Sequence, residues 1–123
     1  MRLAVGLVIA GLAVGSGSVG AAGQDAANPA FYTQRVKPIF AANCYRCHGG
    51  MNRRGGLSME TRAGMMKGGK DGLAVVPGDP EKSLLVRMMR RQGSANDLKP
   101  MPPPPRPKLS DSDIATVEQW VRA

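Results

Sequence analysis

Cys44-Tyr45-Arg46-Cys47-His48 is the stretch on which the reading of this chain turns. Two thiols three positions apart, followed at once by an imidazole, allow four chemistries. A disulfide between neighbours this close closes a tiny loop and constrains the unfolded chain very little. A thioredoxin-like dithiol needs alternating strands and helices around it, and no strand-like run here exceeds four residues. A structural zinc site needs four ligands. Cys44, Cys47 and His48 supply three, and the chain has no other cysteine or histidine. The fourth chemistry fits: Cys-x-x-Cys-His is the signature of covalent c-type haem attachment. On a helical turn the two thiols reach the vinyl groups along one porphyrin edge. The next residue, His48, then falls beneath the iron as a neutral-imidazole axial ligand.

The surrounding composition suits a small domain that needs help filling its middle. The chain has 123 residues, only five of them aromatic (Phe31, Tyr32, Phe40, Tyr45, Trp120), against 16 glycines and 10 prolines. A chain of this size folds as one domain and buries only about 60 to 70% of its unfolded surface. Two cysteines cannot build the multi-bridge framework of a small secreted protein. Lys and Arg number 17 against 9 acidic residues, a formal charge of +8.

Residues 1–23 read as a cleaved export signal, and residues 24–123 as the domain. Met1-Arg2 gives a positive start, Leu3 to Val14 an apolar stretch, and Ala21-Ala22-Gly23 the small residues a signal peptidase accepts, with cleavage between Ala21 and Gln24. A membrane anchor needs about 20 apolar residues, whereas this stretch turns rich in Gly and Ser after Val14. Cleavage removes only Arg2 among the charges, leaving +7. The expected location is therefore the bacterial periplasm, with no stable membrane insertion.

Outward from the motif, the pattern is helical. Asn28-Pro29 caps and opens a helix with Phe31, Val36, Ile39 and Phe40 on its apolar face, kinked or split at Pro38 and ending near Asn43. Gly49 to Gly78 reads as irregular, with a helical turn at Thr61 to Met66 and a short extended piece, Leu73 to Val76. Asp79-Pro80 opens a second helix, with Leu84, Leu85, Met88 and Met89 on one side and Gly93 closing it. The proline run Pro102 to Pro105 can be neither helix nor central strand. The last helix is the best signalled. Ser110 caps it, Asp113 completes a capping box, Leu109 staples to Ile114, and Val117, Trp120 and Val121 continue the stripe.

Taken in order, these pieces resemble a class I cytochrome c domain of the single-haem type found in planctomycetes and related bacteria. The resemblance rests on Val36-Lys37-Pro38-Ile39-Phe40, Cys44 to Gly49, Gly55-Gly56-Leu57 ahead of Thr61-Arg62, Val76-Pro77-Gly78-Asp79-Pro80 with Ser83-Leu84-Leu85, Met101-Pro102-Pro103, and Leu109-Ser110-Asp111 before the final helix. It implies an all-α, small cytochrome c fold of three to five short helices, with long loops wrapped round one covalently bound haem c and its iron. It also implies that the first and last helices cross near the haem edge, where Phe40 and Trp120 would meet. Leu57 would pack on the haem, and a methionine on the loop before the last helix, here Met101, would be the sixth ligand. The proline run is longer than that pattern requires.

Eight methionines make the ligand question concrete. Met51 and Met59 lie 3 and 11 residues past His48, close for crossing to the opposite ring face. Met65 and Met66 could swing over from a loop, and Met88 and Met89 read as core filler on a helix. Met101 lies 53 residues past His48, on a loop that prolines stiffen. His48 and Met101 are thus the expected metal ligands, Cys44, Cys47 and Leu57 further haem contacts, and Arg62 a candidate partner for a haem propionate.

Such a site passes single electrons, and nothing in the sequence points to catalysis. The expected protein is a monomeric periplasmic electron carrier between a redox donor and acceptor with acidic docking faces, steered by Arg46, Arg53 and Arg54 around the motif. Nucleic acid is not an expected partner, because the aromatics do not interleave with the basic residues. Two other readings stay open at this level: a haem-based gas-binding or sensor module, and an accessory haem subunit of a larger oxidoreductase.

Overall fold

Pro38 shapes the amino-terminal helix. The computed structural model describes residues 26–92 and 98–123. Within them the Asn28 side chain accepts the Ala30 amide at 2.9 Å, and Pro29 takes the first helical position of α1 (Pro29–Phe31). A π-helical turn, Tyr32–Val36, follows, and then α2 (Lys37–Asn43). Proline offers no amide to the carbonyl four residues back, and its ring presses on that carbonyl. Widening the preceding turn, with the Lys37 amide on the Tyr32 carbonyl, lets the helix continue. The expected kink is a local change of helical register.

Cys44 separates α2 from the single turn α3 (Tyr45–His48). A tight hairpin pairs His48 with Arg53 and Gly49 with Asn52, and the expected turn beyond Thr61 is α4 (Arg62–Lys67), with Thr61 Oγ1 accepting the Gly64 amide at 3.0 Å. Leu73 to Val76 pairs with no strand among the described residues. Instead the Leu73 and Ala74 carbonyls accept the amides of Leu84 and Leu85 at 3.4 and 3.0 Å.

The second expected helix is broken in two, a 3-10 turn Pro80–Lys82 and α5 (Leu84–Met89). Ser83 stands at the break and is fully buried. Its hydroxyl donates to the Asp79 carbonyl at 2.8 Å and accepts the Val76 amide at 2.9 Å. A serine hydroxyl that engages nearby backbone competes with the helical ladder, which the sequence pattern of apolar spacing does not reveal. Gly93, the expected closing residue, lies outside the described residues. α5 has already ended, through Gln92 N–H to the Arg87 carbonyl and Arg91 N–H to the Met88 carbonyl, both 3.1 Å. This is the paired pattern of a Schellman cap, with Arg91 at φ +57° where glycine is usual. A left-handed non-glycine residue costs roughly 1–2 kcal/mol.

The carboxy-terminal helix, α6 (Asp111–Arg122), forms as its cap predicts. Ser110 Oγ accepts the Asp113 amide at 3.1 Å, and Leu109 and Ile114 are both buried. It crosses the amino-terminal helix through Trp120, edge-on to Phe40 at a centroid distance of 5.9 Å and tilted over Tyr32 at 5.2 Å. Arg90 binds α5 to α6, its Nε donating to Glu118 at 2.6 Å and its Nη1 to Glu81 at 2.7 Å. The fold is all-α, and its apolar core runs along the helix crossing through Phe31, Val36, Phe40, Val117 and Val121.

Candidate haem site

The Cys-x-x-Cys-His turn begins where α2 runs out. The Cys44 amide still donates to the Phe40 carbonyl at 2.7 Å, while the Cys44 carbonyl accepts the amides of Cys47 and His48 at 3.1 and 2.9 Å. Both cysteines therefore sit on one helical turn, with His48 at its end. Gly49 then extends at φ −150°. A Cβ there would stand 2.8 Å from the Tyr45 carbonyl and 2.9 Å from Glu60 Oε1, so only glycine lets the chain turn away so tightly. The His48 carbonyl accepts the Met59 amide at 2.7 Å, which draws the Leu57–Met59 segment alongside the imidazole. The loop beyond is clasped in turn, because Gly55 O accepts the Lys70 amide at 2.9 Å. A Cβ on Gly69 would lie 2.6 Å from that same carbonyl.

These constraints enclose a cavity of about 330 Å³, within the range of roughly 300–1,000 Å³ for cofactor and ligand clefts. Cys44, Cys47, His48, Leu57 and Met101 all line it. Arg62 does not, being exposed at the start of α4. The cations on the cavity wall are instead Arg54, Lys70, Lys99 and Arg106. Arg54 stands in the sequence as a steering charge beside the motif, whereas Lys70, Lys99 and Arg106 went unmarked because each lies in a stretch whose course no periodicity announces. Three further methionines also reach the cavity, Met59, Met88 and Met89. Met88 and Met89, read from sequence as core filler, thus face the cavity as well as the core. Met65 is buried in the core away from the cavity, and Met51 is fully exposed at the hairpin tip. Met101 is half-buried, with its amide on the Met88 carbonyl at 3.1 Å.

The cavity lining suits a large, flat, mostly apolar group that carries a metal. Among the described residues the buried Nδ1 of His48 has no hydrogen-bond partner, a costly condition for a ring nitrogen unless something further engages the imidazole. Burial pushes the Cys44 thiol up to about 11, an effect that the charge of Arg106 partly offsets. Both thiols are free. Among the described residues no three Cys, His, Asp or Glu side chains converge on one point, so the motif does not form a zinc-type cluster. The residues present fit haem c: two thiols on one turn, an imidazole beside them, thioethers from other segments, and basic groups on the loops.

Helices crossing through an aromatic contact, with a Cys-x-x-Cys-His turn opening onto such a cavity, define a c-type cytochrome domain. The chain belongs to the planctomycete cytochrome c family, whose model, described as Planctomycete cytochrome C, matches residues 44–105. No curated protein and no solved structure matches the chain. Membership makes it a haem-based electron-transfer protein. The matched segment starts at Cys44 and stops one residue short of Arg106, so the two crossing helices lie outside it.

Proposed function

We propose that this chain is a periplasmic single-haem electron carrier, with Cys44 and Cys47 as the covalent attachment points and His48 and Met101 as the axial ligands. The observation that carries this reading is the shared cavity: Met101 stands on the same wall system as a motif 53 residues away in sequence. Haem c held there would supply a one-electron iron couple, with methionine ligation raising its potential relative to bis-histidine ligation.

The protein's own residues have separate tasks. The α3 turn fixes the two thiols and the imidazole relative to one another. Leu57, Met59 and Met89 present apolar surface to the cavity and exclude water, which disfavours localised charge inside it. Lys70 and Arg54 place positive charge at loops on its wall. Arg46 on the α3 turn and Arg53 on the adjacent hairpin are exposed, where they suit the approach of an acidic redox partner.

Periplasmic location rests on residues 1–23, read as an export signal, with residues 24–123 as the working domain. Among the described residues no helix is long and apolar enough to cross a membrane. The test is chemical. Protein co-expressed with haem-attachment machinery should keep its haem through denaturation and acid–acetone extraction, and Cys44→Ser should leave a single thioether link and poorly matured protein. Haem that washes out of the wild type sinks the reading.

A further inference from the structure

Arg91 occupies the one described position outside glycine with a positive φ, +57°, at the end of α5. That is the place where a glycine would close the Schellman cap most easily, yet the chain carries its longest basic side chain there. The side chain does not go to solvent. Arg91 Nη2 donates to the carbonyl of Pro102 at 3.0 Å and to the carbonyl of Arg106 at 2.8 Å, and its Nε is buried without a partner among the described residues. Both accepting carbonyls belong to the proline loop that begins at Met101.

The far side of that loop is tied as well. Arg106 Nη1 donates to the Asn43 carbonyl at 3.2 Å and Nη2 to the Ala42 carbonyl at 3.4 Å. These carbonyls end α2, immediately before Cys44, where the helix leaves acceptors unpaired and its dipole favours a cation. The geometry points to Arg91 and Arg106 as a two-arginine relay of positioning residues. It fixes the Met101 loop to α5 on one side and to the helix that delivers the haem-attachment turn on the other. A thioether is a weak ligand, so its residence at the iron depends on how firmly its loop is held. The relay supplies that hold where the prolines, which lack amide donors, cannot. This inference rests on the assignment of Met101 as axial ligand.

The holoprotein variant Arg91→Gly removes the fork while installing the residue that the left-handed cap prefers, so α5 keeps its end. Hydrogen exchange at the amides of Met101 and Arg106, which donate to the Met88 and Pro103 carbonyls, reads the hold on the loop whatever the iron's ligand is. Exchange should quicken at least tenfold there, with the amides of α6 unchanged. Cyanide binding to the oxidised protein, which requires the methionine to leave, should also quicken at least tenfold. Arg91→Lys, a single ammonium in place of a fork, should restore only part of either effect. Unchanged exchange in Arg91→Gly overturns the relay. Faster exchange with wild-type cyanide binding, in a protein where Met101→Ala binds cyanide fast, overturns its role in holding the ligand. Wild-type cyanide binding in Met101→Ala as well removes the axial assignment itself and the inference with it.

Discussion

Four methionines on one cavity wall turn the identity of the axial ligand into a question for single residues. Met59 is held beside His48, because its own amide donates to the carbonyl of that residue. Met89 is almost wholly buried and Met88 half-buried on α5, where a flexible thioether fills irregular space. Met101 approaches from a separate loop. The oxidised wild type should be low-spin and show the weak sulfur-to-iron absorption band at the red edge of the visible spectrum. Met101→Ala should abolish that band, lower the potential and let carbon monoxide or cyanide bind. Met89→Ala should leave the band in place and cost about 2–5 kcal/mol in guanidinium unfolding. If the band survives in Met101→Ala and disappears in Met88→Ala or Met59→Ala, the ligand is one of those. Ready carbon monoxide binding by the wild type would favour a sensor over a carrier. The Cys44, Cys47 and His48 placements were legible because their chemistry depends on neighbours in sequence. Arg62 was not, since which loop cation faces the cavity depends on the Gly55–Lys70 backbone contact, a closure between segments that no local pattern encodes.

At the scale of elements, the legible pieces are those stabilised by their own sequence. Ser110 and Leu109 announce α6, and the helix starts where they say. Ser110→Ala should cost about 0.5–2 kcal/mol, read as a lower unfolding midpoint with an unchanged spectrum. The Asp79–Met89 segment was misread as one helix because apolar spacing continues through Ser83, while the hydroxyl of that buried serine is committed to Asp79 and Val76. The contact that then orients α5 is tertiary. Arg90 bonds to Glu118 of α6 with both side chains largely shielded, at 17% and 18% exposure. Glu118→Ala removes the acceptor from the shielded Arg90 guanidinium, so it should cost about 1.5–3 kcal/mol, the worth of a hydrogen bond to a charged group. A loss below about 0.5 kcal/mol would mean that the α5–α6 packing is carried by Leu85, Val86 and Val117 alone.

For the whole molecule, a scarcity of aromatics implied a core that something besides protein completes, and the core residues Met59, Ala74, Leu85, Met89 and Leu109 line a cavity shared with the attachment turn. Charge is the other global property, and its distribution decides between two accounts. If the excess of basic residues serves only solubility, electron-transfer rates should depend on net charge wherever it is altered. If it steers an acidic partner, the position of the charges matters, because at 0.15 M ionic strength the screening length is about 8 Å. Arg46 on the α3 turn and Arg53 on the hairpin are exposed on either side of His48 in sequence, whereas Lys37 and Arg122 are exposed on the amino- and carboxy-terminal helices. Wild-type transfer to an acidic acceptor should slow as salt rises from 10 to about 300 mM, since steered association weakens with ionic strength. Arg46→Glu with Arg53→Glu should slow it at low salt and flatten the salt dependence. Lys37→Glu with Arg122→Glu, the same change in net charge, should leave most of both intact. Equal slowing by the two pairs assigns the effect to net charge. A wild-type rate indifferent to salt removes electrostatic steering while leaving the haem site as described.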